Sequence, residues 1–258
     1  ATTHIAVPAT SGDDGGSGGS GGRGVGLPEY ATFDRIALPP RRISQHVGER
    51  VMLVPHHYQI NSHWFTYAVR FSGHGAMQTR VDPESNALLP GLGSRAWRWP
   101  RMSLANFGVA QKLGPLFLPT LQRPFLTSRA LLWFGGPAQI AARALRREAL
   151  ALGAAPNRLI VSPRVSSSGY IERATRATMY ADTLAYNSHT ITVDMLWAGV
   201  PTITLSGGSI ASRVGTAVSS AGGSPEAAVA SLREYGCAVT ELLGRGAAYE
   251  QPQVAWRR

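Results

Sequence analysis

The sequence predicts an α/β protein whose core is a doubly wound parallel sheet. One βαβ unit is legible in Asp182 to Arg213 and the residues just before it. Met179 to Asp182 reads as a short strand, Asn187 to Trp197 as a helix, and Val200 to Leu205 as a β-branched, apolar strand of the buried parallel kind. A second unit precedes it: Ala130 to Phe134 as strand, Pro137 to Leu152 as helix, and Arg158 to Val161 as strand. With 258 residues, 44% of them hydrophobic, the chain can bury a sizeable core.

Taken in order, His4 to Gly12 is a short apolar strand running into a turn, and residues 13–26 form a Gly/Ser run too poor in apolar surface to order itself. Val51 to Val54 is a candidate buried strand. His56, His57 and His63 follow it without any recognised ligand spacing, so they read as strand-end histidines bonded to the backbone and no metal is expected. Trp64 to Arg101 gives no periodic signal and reads as a linker or lobe junction. Trp97-Arg98-Trp99-Pro100 within it suits aromatic packing, or stacking on a base or peptide.

In the 137–152 helix, Arg146, Arg147 and Glu148 should face outward, and a loop is expected after Pro163. Asn187, Ser188 and Thr190 are helix-start residues, Gly199 ends that helix, and Pro201 prevents its return. Gly207-Gly208-Ser209 is expected to open another helix. An Ala/Ser/Gly-rich helix then follows Arg213, a Pro225-started helix reaches Glu234, and Ala238 to Leu243 closes the pattern.

The formal charge is +10, yet the arginines lie singly or as the pairs Arg41-Arg42, Arg146-Arg147 and Arg257-Arg258. Without a basic run, nucleic acid is not an expected partner. Lys112 is the only lysine, against 24 arginines. The single cysteine, Cys237, cannot form an internal disulfide and reads as a small buried hydrophobe in a reducing compartment. No stretch has the ~18 consecutive apolar residues of a membrane span, and no signal-peptide profile stands at the start, so an intracellular protein without membrane attachment is expected.

A helix that starts at the carboxyl edge of a parallel sheet presents unpaired N–H groups and a partial positive charge, which suit a phosphate. Ser188-His189-Thr190 stands at such a point. His189 can add a donor, Thr190 a hydroxyl, and Asp194, one turn on, an acceptor for a ribose hydroxyl. The alternative is equally compatible with spacing: Ser188 and Thr190 only cap the helix, His189 is a surface residue, and Asp194 faces solvent.

The run N-S-H-T-I-T-V-D-M-L-W-A-G-V-P, followed by S-I-A-S-R-V, resembles the donor-binding lobe of the O-linked N-acetylglucosamine transferases, which carry N-G-H-T-T-G-M-D-x-L-W-A-G-x-P and then x-L-A-S-R-V. N-R-L-I-V-S-P at Asn157 to Pro163 is similar to the family's N-R-I-I-F-S-P strand. V-M-L-V-P-H-H-Y-Q-I-N-S-H is similar to L-x-Y-M-P-H-T-F-F-I-G-D-H, and F-D-R-I-A-L-P-P stands where the family has a strand. The turn within His4 to Gly12 resembles the family's Y-P-G-T-S-G loop beside the donor sugar.

The resemblance implies a GT-B-type, Rossmann-like C-terminal lobe over residues 102–258. Residues 1–101 would be a partial preceding lobe and junction, with the disordered Gly/Ser insertion inside it. It also implies transfer of N-acetylglucosamine (GlcNAc) from UDP-GlcNAc to Ser and Thr hydroxyls of cytoplasmic and nuclear proteins, without a cofactor or metal. The family's tetratricopeptide array, most of its N-terminal lobe with the proposed catalytic histidine, and its terminal helix have no counterpart here, and no 34-residue repeat is detectable.

On the matching positions, Lys112 falls on the lysine that steadies the departing diphosphate. His189, Thr190, Ile191 and Asp194 fall on the diphosphate and ribose, and Val165, Tyr170 and Arg173 around the base. The chain departs from the family at Ser167, Val109 and Ile191, which replace a lysine, a glutamine and a threonine. Each lost hydrogen bond to a charged group should weaken donor binding by roughly 1.5–3 kcal/mol. A non-catalytic nucleotide-binding or interaction module, or a protein O-fucosyltransferase using GDP-fucose, are the alternatives.

Overall fold

The computed structural model describes residues 29–63, 102–136, 139–165 and 167–244. The expected turn of His4 to Gly12, the Gly/Ser segment 13–26, the Trp97 to Pro100 segment and the expected boundary at residue 101 lie outside the described residues. Two parallel sheets are present among those described: a pair β1 (Tyr30–Asp34) and β2 (Arg50–Val54), joined through the one-turn helix α1 (Ile43–His46), and a six-stranded sheet. The larger sheet comprises β3 (Ser103–Asn106), β4 (Leu131–Gly135), β5 (Leu159–Ser162), β6 (Met179–Ala181), β7 (Thr202–Leu205) and β8 (Ala228–Val229) in the order β5-β4-β3-β6-β7-β8.

That order is the doubly wound one. The chain builds outward from β3 through β4 to β5, then returns to the other side of β3 with β6 and builds outward again. The strand order therefore reverses between β3 and β6, and in open α/β sheets the crevice at such a point is where ligands bind.

Side-chain alternation along the strands explains why both faces are covered. Leu104, Leu132, Phe134, Met179 and Ala181 point to one face. They pack against α2 (Phe117–Thr127), α3 (Gln139–Ala151) and α7 (Leu232–Gly244) through Phe117, Leu121, Ala149, Tyr235 and Val239. Ala105, Trp133 and Tyr180 point to the other, where α4 (Ser167–Ala174) and α5 (His189–Trp197) supply Ala174 and Met195. On α5, Val193 and Leu196 meet α6 (Val214–Ala221).

Helix α2 was not legible from sequence because it contains Pro119 and Pro124. Pro119 sits in the first turn, where N–H groups have no helical partner. Pro124 has no N–H to give the Thr120 carbonyl, and α7 approaches that oxygen at Gly236, where a Cβ would lie 3.2 Å from it.

Four expectations are corrected. The residues after Pro163 are not a loop throughout: α4 begins at Ser167. Gly207-Gly208-Ser209 does not open a helix, because the Ser209 and Ser212 hydroxyls bond each other at 2.9 Å and Gly207 N–H reaches Ser212 O at 2.9 Å, closing a turn that delays α6 to Val214. Pro225 starts only a single 3-10 turn to Ala227, after which Ala228–Val229 pairs with β7 as the edge strand. Cys237 is exposed, since Tyr235, Val239 and Leu243 form the buried stripe of α7.

Arg146, Arg147 and Glu148 do face outward, and Gly199 ends α5 at φ +77, a conformation favouring glycine.

The β1–β2 pair is fastened to the larger sheet's side of the molecule by specific bonds. Arg213 Nε donates to Ile36 O at 2.7 Å, and Arg42 Nη1 to Gly208 O at 2.7 Å. Tyr58 packs against both the β1–β2 core and the α5–α6 cluster. Among the described residues, no helix is long and apolar enough to cross a membrane.

Candidate functional site

The crevice between the ends of β3 and β6 is built by short-range polar bonds. Asn106 ends β3 and donates through Nδ2 to Ala181 O at 2.7 Å, tying the two strand ends together. Gly108 follows with its N–H on Asn106 Oδ1 at 3.1 Å, and a Cβ there would stand 3.3 Å from Ser188 Oγ. The chain then turns through a short 3-10 segment, Ala110–Lys112, which brings Lys112 back over the loop that follows β6.

That loop, Asp182 to Ser188, is clamped from every side. The fully buried Asp182 carboxylate accepts Ser188 N–H at 2.7 Å and Thr183 N–H at 2.8 Å through Oδ1, and the Thr204 hydroxyl at 2.8 Å through Oδ2. Tyr235 donates its hydroxyl to Asp182 O at 2.7 Å. Asn187 donates to Thr183 O at 2.9 Å and accepts Gly215 N–H at 3.1 Å. Burial pushes the Asp182 carboxyl up to about 6, and the hydrogen bonds it accepts hold it below what burial alone would give.

The helix start that follows is open. Ser188 is the N-cap residue of α5, yet it makes no side-chain cap bond; its Oγ instead receives the Tyr180 hydroxyl at 2.7 Å. The reading in which Ser188 merely caps the helix is thereby set aside. The first-turn N–H groups of α5 carry no side-chain cap and add to the positive end of the helix.

Lys112 lies against this start. Its ammonium donates to Asn187 O at 2.8 Å and sits 4.0 Å from the centroid of the Tyr186 ring. Partial burial lowers its pKa, and the nearby Asp182 charge works in the opposite direction. No carboxylate pairs directly with Lys112 among the described residues, so its charge is available to an anion.

His189 is half-buried and stacks on Tyr186, the ring centroids 5.0 Å apart and the planes 17° from parallel. Burial, then the charge of Lys112, holds its imidazole down to about 4. At neutral pH it is a neutral ring with one N–H, and as placed its Nε2 lies 3.4 Å from Ala211 O. Thr190 is exposed at the helix start. Ile191 turns its side chain toward the cluster of Phe107, Trp133 and Tyr180, which leaves its backbone N–H as the group it can offer.

Asp194 is held by His63: Nε2 and Oδ1 are 2.5 Å apart. The sequence expectation for His63 is corrected here, since its ring meets a carboxylate from α5; His57 Nδ1 does take a backbone N–H, that of Gln59, at 3.1 Å. Among the described residues no cluster of three or more His, Cys, Asp or Glu could hold a metal.

Val165, Tyr170 and Arg173 follow β5 in the chain, and the last two reach back to Phe107, the residue after β3. Val165 is half-buried. Tyr170 packs edge-on against Phe107, ring centroids 5.9 Å apart. Arg173 is turned inward at 8% exposure: Nη1 donates to Pro163 O at 2.7 Å and Ser162 Oγ at 3.3 Å, and the guanidinium lies 4.7 Å from the Phe107 ring centroid. As placed, it braces the wall of the crevice and does not extend into it.

Sequence reasoning missed Tyr186, Asp182 and the His63 partnership. Asp182 and Tyr186 lie just ahead of the Asn187 to Pro201 run and His63 ends the separate Val51 to His63 stretch, and nothing local signals their contacts.

The family model described as glycosyl transferase family 41 matches residues 106–253. UDP-N-acetylglucosamine–peptide N-acetylglucosaminyltransferase of Caenorhabditis elegans is 33% identical over 91 residues, which are 35% of this chain and 8% of that protein. A probable enzyme of the same description, SEC of Arabidopsis thaliana, is 37% identical over 91 residues, 35% of this chain and 9% of that protein. A solved structure of an O-GlcNAc transferase mutant from Thermobaculum terrenum superposes with a TM-score of 0.64 at 21% identity, covering 84% of this chain and 39% of that one. At that identity the likeness speaks for the fold. The matched stretch is under a tenth of the length of either curated relative.

Proposed function

The chain belongs to glycosyl transferase family 41, and from that premise we propose that it carries the donor-binding lobe of a protein O-linked N-acetylglucosaminyltransferase. The donor is UDP-GlcNAc, and the acceptors are Ser and Thr hydroxyls of cytoplasmic and nuclear proteins. Residues 102–258 would form the lobe, and residues 1–101 part of the preceding lobe and the junction.

One observation carries this reading. Lys112, a cation that no described carboxylate pairs with, reaches Asn187 O at 2.8 Å beside a helix start that no side chain caps, at the reversal of strand order. This is the arrangement expected where a diphosphate must be held and its charge stabilised as it departs.

In transfer, the acceptor hydroxyl oxygen attacks the anomeric carbon while the bond from that carbon to the diphosphate oxygen breaks, and the hydroxyl proton passes to the departing diphosphate. Lys112 and the N–H groups of α5 stabilise the negative charge gathering on the diphosphate. The one N–H of the neutral His189 ring passes from its long 3.4 Å contact with Ala211 O to the diphosphate, Thr190 offers its hydroxyl, and Asp194 accepts from the ribose. Val165 and Tyr170 border the base, and Arg173 supports that wall from behind. The donor is a substrate, and neither a cofactor nor a metal is required.

Calorimetric titration of the full chain with uridine diphosphate, guanosine diphosphate and a Lys112→Ala control tests the reading. Saturable, uridine-selective binding that the control loses is expected. A folded chain that binds neither nucleotide would instead be a non-catalytic module, and preference for guanosine diphosphate would point to GDP-fucose.

A further inference from the structure

The Tyr186 ring contacts both groups assigned to the diphosphate, and the sequence motif gave it no role. Its ring carries the Lys112 ammonium 4.0 Å from its centroid and stacks on the His189 imidazole, centroids 5.0 Å apart at 17°. The ring is half-buried and its backbone is fixed, because Tyr186 O accepts the Thr183 hydroxyl at 2.5 Å inside the clamped loop. The negative face of an aromatic ring attracts an ammonium, and that attraction grows where water is partly excluded.

Lysine side chains have high rotamer freedom, and ordering one on binding weakens affinity unless it is ordered beforehand. The Tyr186 ring and Asn187 O supply that ordering for Lys112, and the same ring sets the plane of His189. We propose that Tyr186 is a positioning residue of the nucleoside diphosphate site, holding Lys112 and His189 in one stack before and after the ligand arrives. The proposal rests on the donor-site reading above. It assigns the effect to the ring and none of it to the phenolic hydroxyl.

The chain's single lysine makes the test direct. Protein labelled with [ε-13C]lysine carries one ε-methylene signal, that of Lys112. In the wild-type chain this signal should be shielded by the ring and should stay shielded at saturating uridine diphosphate; a return to the free-lysine position on binding would overturn the proposal.

Tyr186→Leu should lose the shielding and weaken uridine diphosphate binding about fivefold with cooperative unfolding intact, and Tyr186→Phe should restore both. A leucine variant that folds and binds as the wild type does would overturn the role of Tyr186 while leaving the donor site standing. A wild-type chain that binds no uridine diphosphate would overturn both. The ligand-saturated wild-type spectrum decides the question even if the leucine variant does not fold.

Discussion

His63 Nε2 lies 2.5 Å from Asp194 Oδ1, joining residues 131 positions apart. The contact fastens the segment after β2 to helix α5, and the His63 ring also lies 5.5 Å from that of Trp197. Because both side chains are largely buried, with 10% and 21% exposure, removing His63 leaves the Asp194 carboxylate without the imidazole that offset its desolvation.

His63→Ala should therefore destabilise the fold by about 1–2 kcal/mol, read as a lower urea midpoint with an unchanged denaturant slope. A midpoint equal to that of the wild type would show the pair to be energetically neutral.

Lys112→Met keeps the length of the side chain and removes its charge. Uridine diphosphate affinity should fall by about tenfold to a hundredfold, the range for a hydrogen bond to a charged group, while the thermal midpoint stays near its original value. In a complete enzyme, transfer should be abolished. Retained activity there would remove Lys112 from the mechanism.

Asp182 and His189 make opposite contributions to the pH dependence of stability. Burial raises the Asp182 carboxyl from 3.8 to about 6, so between these values the folded chain holds a proton that the unfolded chain has released. Its contribution is full below pH 4 and is lost as pH rises through 6, by on the order of 3 kcal/mol. His189 is lowered from 6.5 to about 4, so its contribution is full above pH 6.5 and is lost as pH falls toward 4. The wild type should show a shallow pH profile in this window. Asp182→Asn should make stability fall more steeply with acid, and His189→Gln should make it rise; identical slopes in all three proteins would refute the assignment.

Gly215 is the site where α6 meets the Asp182 clamp. A Cβ there would lie 2.3 Å from Thr204 Oγ1 and 2.5 Å from Asp182 Oδ2, so Gly215→Ala must displace the carboxylate or the helix. A loss of about 1–3 kcal/mol is expected by chemical denaturation, the usual cost of overpacking. Uridine diphosphate binding should weaken with it, because Asp182 positions Ser188 N–H at 2.7 Å.

Much of the fold was legible because its signals are local. Leu131–Gly135 is an apolar run, Thr202–Leu205 is rich in β-branched residues, Gln139–Ala151 repeats at the helical period, and Gly199 with Pro201 punctuates α5. Where a local signal misleads, the structure departs. Pro119 and Pro124 hid α2; Gly207-Gly208-Ser209 looked like a helix opening but closes a serine-bonded turn; and Ala228–Val229 is too short to stand out until β7 gives it a partner.

The sequence by itself determined the sheet class, the helix start at His189 and the identity of the residues near it, since capping, periodicity and motif spacing act over only a few positions. Tertiary structure decided that β3 and β6 are neighbours, that Lys112 therefore rests on Tyr186 and Asn187 O 75 residues ahead of it, and that Arg173 turns inward to Pro163 O. Those relations follow from strand order and from the need of buried polar groups to find partners, and both are settled only when distant segments share one core.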